Sequence, residues 1–178
     1  TRRASASTAI ARWWSTSSLQ ILCGIKSLIG KHAPLPSPER TLLDIAFCRT
    51  LITLSNAAFN HQSMSFKAEE TKGDSGQSEF WDLADDPSRQ FSTDIDTVLS
   101  GARLNPSGKG TVVKGDSRSI EECLLDKHDL LVTSPPYPNR ISYIRELRPY
   151  MYWLGYLKEA REAGEMDWQA IGGTWGIA

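Results

Sequence analysis

With 178 residues, 40% of them hydrophobic and 23% charged, the chain is about one domain long and has enough apolar material for a core, which excludes a disordered or low-complexity protein. Its 20 basic and 21 acidic residues leave a net charge of -1, so no global positive field announces a nucleic-acid partner, and any such surface has to be gathered on one face. Cys23, Cys48 and Cys123 are odd in number and far apart, which argues against a disulfide framework or a zinc site, and no apolar run approaches the roughly 18 to 20 residues of a membrane span. The expectation is a protein of a reducing, cytoplasmic compartment, with no metal and no membrane association.

Residues 1–36 form a poorly defined N-terminal segment. It begins Thr1-Arg2-Arg3-Ala4-Ser5, a basic, Ser- and Ala-rich stretch that superficially resembles a transit peptide. Trp13, Trp14, Leu19, Ile21 and Leu22 follow without a clean period. The absence of an initial Met and the end at Gly176-Ile177-Ala178 suggest a piece of a longer protein. The prolines of Ala33-Pro34-Leu35-Pro36-Ser37-Pro38 then break the chain, because each fixes φ and removes a donor. Ser37 is placed to cap a helix with Pro38 at its first position, running to about Ser55 or Asn56. Its expected apolar face is Leu42, Ile45, Ala46, the stem of Arg49 and Ile52.

Residues 60–80 are polar and turn-rich and read as a loop. Residues 88–101 read as a helix with Phe91, Ile95, Val98 and Leu99 on one side, followed by a turn at Asn105-Pro106-Ser107-Gly108. Thr111-Val112-Val113-Lys114 reads as a strand ending on Gly115-Asp116-Ser117, and Ser119 to Leu125 as a short amphipathic helix. Asp129-Leu130-Leu131-Val132-Thr133 reads as a second, buried strand that runs into Ser134-Pro135-Pro136-Tyr137. Strand, short helix and strand at this spacing predict a parallel α/β unit with ligands at the strand C-termini. A helix from Ile141 to about Lys158 carries Ile144, Leu147, Met151, Leu154 and Leu157 at three- and four-residue steps, with Pro149 as a point of kinking or breakage.

Ser134-Pro135-Pro136-Tyr137 has the parts needed to methylate an exocyclic amino group. Such a nitrogen is a poor nucleophile, because its lone pair is delocalised into the ring. Acceptors that draw its hydrogens out of the ring plane make it a better one, and a Ser hydroxyl and a backbone carbonyl are acceptors. The two prolines hold that carbonyl away from a sheet ladder. An adjacent aromatic ring can stack on a base that has left the duplex. No covalent nucleophile is needed, and positioning would supply most of the rate.

Residues 129–137 resemble the catalytic loop of the amino-methylating DNA methyltransferases. In that family Ser at the first loop position is typical of cytosine-N4 enzymes. Asp is typical of adenine-N6 enzymes, and Asn also occurs in adenine, protein and RNA methylases. Gly115-Asp116-Ser117 resembles the family's acidic turn, whose carboxylate accepts from the adenine amino group of S-adenosylmethionine. Two further stretches are similar to modification methylases of this type: Ser55 to Ser63, and Tyr143 through Arg148-Pro149-Tyr150-Met151-Tyr152-Trp153-Leu154-Gly155 to Gly172-Gly173-Thr174-Trp175-Gly176.

The resemblance implies a partial Rossmann-like methyltransferase domain over residues 37–178, with a mostly parallel sheet, behind a helical N-terminal segment. It implies catalytic roles for Ser134, Pro135, Pro136 and Tyr137 and donor contacts from Gly115, Asp116 and Ser117. Double-stranded DNA is the implied substrate, touched by Asn139, Arg140 and His61, and a cognate restriction endonuclease the implied companion. One departure is large: the family's glycine-rich cofactor loop has no counterpart here, so the chain is expected to hold the base-side half of an active site and need not be active alone. A Pro-Pro turn after an apolar run also occurs in proteins without catalysis. A methylase of adenine N6, RNA or protein, and a non-catalytic DNA-binding remnant or split-enzyme half, stand as alternatives.

Overall fold

The computed structural model describes residues 10, 13–58, 65–66, 86–105, 107–116, 119–120, 127–134 and 142–170. Their regular elements are α1 (Thr16–His32), α2 (Pro38–Thr53), β1 (Ala57–Ala58), β2 (Ser65–Phe66), α3 (Pro87–Arg103), α4 (Tyr143–Leu154) and α5 (Ala160–Gln169). The two short strands pair antiparallel, Ala57 opposite Phe66 and Ala58 opposite Ser65.

The helices begin where short polar side chains can take up orphan amides. Ser15 accepts from Ser18 N at 3.2 Å to start α1. Ser37 accepts from Arg40 N at 3.1 Å ahead of Pro38, as its position predicts. Asp86 accepts from Ser88 N at 2.9 Å ahead of Pro87. Ser142 accepts from Arg145 N at 3.1 Å to start α4, and Gly155 ends that helix at φ 83, a left-handed conformation that glycine adopts without a Cβ penalty. In α5, Glu162 reaches back to accept from Glu159 N at 3.1 Å.

The core forms between α1 and α2. Trp14, Leu22, Ile25, Ile29, Phe47 and Leu51 are all buried there, with Leu43, Leu54, Phe91 and Trp153 packed against them. Burial of each such side chain contributes about 1.5–3 kcal/mol. Trp14 donates its indole N–H to Leu51 O at 2.8 Å. Trp153 brings α4 to this core edge-on, its ring 5.8 Å from that of Trp14 and 5.4 Å from that of Phe47. Phe91 does the same for α3, 6.4 Å from Phe47.

A buried carboxylate joins α3 to α2. Asp94 is 3% exposed, and its Oδ1 accepts from Arg49 Nε at 3.1 Å. Its Oδ2 accepts from Thr50 Oγ1 at 2.9 Å and from Gln90 Nε2 at 3.0 Å. Three donors on two oxygens satisfy the charge well enough to keep it inside.

The expected helices in residues 37–56 and 88–101 form, but the buried face of α2 is rotated by about one residue from the expected one. Ala46, Phe47, Thr50 and Leu51 turn inward, while Ile45 is 47% exposed and Arg49 lies at the surface. The bulk of Phe47 and the Thr50–Asp94 hydrogen bond decide the rotation. Helix α4 passes without a break through Pro149, whose ring is buried, and ends at Leu154 short of the expected Lys158.

The mostly parallel, Rossmann-like sheet is the expectation that the structure overturns. Among the described residues the only pairing is β1 with β2, and the architecture is helical. Residues 111–114 and 129–133 are not strands and have no hydrogen-bonded strand beside them. Val112 is 99% exposed, and Leu130, Leu131 and Val132 are 79%, 75% and 85% exposed. A short apolar run specifies a strand only when neighbours accept its backbone groups and cover its side chains. Among the described residues these segments have neither. The expected helix over residues 119–125 shows one 3₁₀ step at Ser119 and Ile120, and its remainder lies outside the described residues.

Candidate functional site

Of the residues expected to handle the base, Ser134 is described, and it is exposed at the end of the unpaired segment 127–134. Pro135, Pro136 and Tyr137 lie outside the described residues, as do Asn139, Arg140 and His61. On the donor side, Gly115 and Asp116 are exposed in an extended segment without a ladder, and Ser117 lies outside the described residues. The Asp116 carbonyl accepts from Ser119 N at 3.0 Å. An adenine held by its amino group also needs walls on both ring faces; among the described residues, exposed Val112, Val113 and Asp116 form none, and residues 117–118 and 121–126 lie outside them.

Downstream of Ser134 the chain is anchored. Ser142 donates to Asp167 Oδ1 at 2.6 Å while capping α4, and Asp167 is 4% exposed within α5. Arg145 is exposed and Arg148 half-buried on α4. The stretch beginning at Ser55 is tied to the core: Asn56 N donates to Trp13 O at 2.7 Å, and Ser55 Oγ donates to Ile52 O at 2.8 Å.

The structure also shows a groove that the sequence reading did not single out. It has a volume of about 660 Å³ and lies between α2 and α4, with Ile45, Ile52, Leu147 and Leu154 as its apolar lining. Thr41, Asp44, Cys48, Arg49, Tyr150 and Tyr156 supply its polar atoms. Burial pushes the Cys48 thiol up to about 11, against a smaller lowering by Lys26 and a further raising by Asp44. Burial likewise raises the Tyr150 phenol, with Cys48 adding to it. Both groups are therefore neutral at physiological pH. The one available signal was the Ile45–Arg49–Ile52 stripe itself, which the sequence reading assigned to the core. A second, smaller recess of about 230 Å³ lies between α2 and α3 and is lined by Leu42, Leu43, Ile95, Val98, Leu99 and Glu39.

Among the described residues no group of three or more His, Cys, Asp or Glu side chains is arranged to hold a metal ion, and no helix is long and apolar enough to cross a membrane. Comparison with protein-family models, with curated proteins and with solved structures finds no match for the chain.

Proposed function

We propose that this chain carries the base-orienting part of a methyltransferase that modifies the exocyclic amino group of a flipped-out DNA base, with cytosine N4 as the favoured target and S-adenosylmethionine as donor. The observation that carries the reading is the contiguous order Asp129-Leu130-Leu131-Val132-Thr133-Ser134-Pro135-Pro136-Tyr137. In this reading the Ser134 hydroxyl and the Pro135 carbonyl accept the two amino hydrogens, and Tyr137 stacks on the ring. The exposure of Ser134 leaves it open to a base. In the same proposal Asp116, with Gly115 and Ser117 beside it in the chain, accepts from the adenine amino group of the donor. The DNA contacts of Asn139, Arg140 and His61, a cytoplasmic location and a companion restriction endonuclease belong to the same proposal.

A second reading is favoured by the exposure of residues 111–116 and 129–134. In it the chain is a non-catalytic DNA-binding remnant or one half of a split enzyme. Duplex DNA incubated with the chain and methyl-labelled S-adenosylmethionine, then digested to nucleosides for mass spectrometry, separates the two. N4-methylcytosine that disappears in Ser134→Ala supports the first reading, and N6-methyladenine shifts the target to adenine. No methylated nucleoside at any donor concentration rejects catalysis by this chain. The second reading then predicts DNA retention that weakens steeply as salt rises.

A further inference from the structure

We propose that the groove between α2 and α4 is a binding site for a small aromatic anion, a flat apolar body bearing one carboxylate or sulfonate. The inference is independent of methyl transfer and uses none of the residues assigned to it. Its volume of about 660 Å³ lies within the range of small-molecule sites. Ile45, Ile52, Leu147 and Leu154 offer an apolar bed, and the rings of Tyr150 and Tyr156 offer flat surfaces beside it.

The sign of the ligand follows from the charges at the rim. Asp44, the one carboxylate in the lining, is held by Lys26 Nζ at 2.7 Å and by Arg40 Nε at 2.9 Å, so two cations more than offset it. The Cys48 thiol is neutral. Arg49 is the remaining charged group of the lining, 52% exposed and paired with Asp94, so Lys26, Arg40 and Arg49 against Asp44 and Asp94 leave one positive charge in excess. Asp94 engages its Nε at 3.1 Å, which pins the guanidinium, and among the described residues no other acceptor meets its remaining donors. A pinned planar guanidinium beside apolar and aromatic surface suits an anion with an apolar body, because little side-chain entropy is left to lose on binding.

The test uses 8-anilinonaphthalene-1-sulfonate against the uncharged N-phenyl-1-naphthylamine, titrated into the whole chain by fluorescence and calorimetry. The expected result is one-to-one binding of the sulfonate, tighter than the neutral compound by about tenfold or more, a difference typical of a charge-assisted contact. Ile45→Glu, at a half-exposed position that the fold tolerates, should abolish the preference. Arg49→Lys should weaken it while leaving Asp94 a cation. Val112→Lys, in the exposed apolar segment away from the groove, should leave binding unchanged. Equal binding of the two compounds, no binding at millimolar probe, or indifference to Ile45→Glu overturns the proposal. So does a dimer in sedimentation equilibrium that Ile45→Glu dissociates, since a second copy would then cover the groove.

Discussion

Two side chains show how local contacts set titration behaviour. Glu162 is held below the usual carboxylate range mainly by accepting the Lys158 amide, at 2.6 Å, and the Glu159 amide. A carboxyl group with a depressed folded pKa contributes stability that is present above its ordinary value of 4.5 and is lost as pH falls through the folded value. The stability gap between the chain and Glu162→Gln should therefore be open at neutral pH and close as pH falls below 4.5 and through the lowered folded value. Denaturant titrations at several pH values measure it. Cys48 behaves in the opposite sense. Its thiol is raised from 9.0 to about 11, so folding favours the protonated form, and the stability this confers is lost as pH climbs across that interval. At pH 8 iodoacetamide should modify exposed Cys23 well before half-buried Cys48, as peptide mass spectrometry would show. Neither effect was legible from residue type alone, because both depend on which amides and which surfaces surround the group.

Across helix pairs, the indole nitrogens of Trp14 and Trp153 differ in what they bond. Trp14 Nε1 donates to Leu51 O, whereas the buried Trp153 Nε1 finds no acceptor among the described residues. Trp14→Phe should therefore be more destabilising than Trp153→Phe, by about 1–2 kcal/mol in urea denaturation, because it leaves a buried carbonyl unpaired. Trp153→Ala should cost about 3–5 kcal/mol, since it removes the ring that joins α4 to Trp14 and Phe47. Between α2 and α3, Asp94→Leu takes an acceptor from Thr50, Gln90 and Arg49, but buried Thr50 keeps Ala46 O at 3.1 Å and half-buried Gln90 and exposed Arg49 can reach water. Its cost should stay near 1–3 kcal/mol. The helices at these positions were legible because their caps are local: Ser37-Pro38 and the apolar spacing of residues 91–99 mark them without reference to the rest of the chain. Helix α1 was obscured because Ile21 and Leu28, both apolar, face outward at 37% and 58% exposure and blur the Leu22–Ile25–Ile29 stripe.

At the scale of the whole molecule, the exposed runs 111–116 and 129–134 stand apart from the buried helical core. Leu131→Ala should change stability by no more than about 0.5 kcal/mol, the size typical of surface positions, whereas the same truncation at Leu22 or Leu51 should cost about 2–5 kcal/mol. A loss at Leu131 comparable to that at Leu51 would mean that residues 129–133 are buried after all. The starts of α2, α3 and α4 and the linear array of chemistry-bearing residues from Asp129 to Tyr137 came from the sequence, since each depends on neighbours within a few positions, whereas α1 and α5 did not stand out in it. The rotation of α2 about Phe47 and Thr50, the exposure of the two apolar runs and the groove beside Arg49 were decided by tertiary structure alone. A side chain's face, a strand's existence and a cavity's walls depend on partners distant in the chain, and local composition carries no record of whether those partners are there.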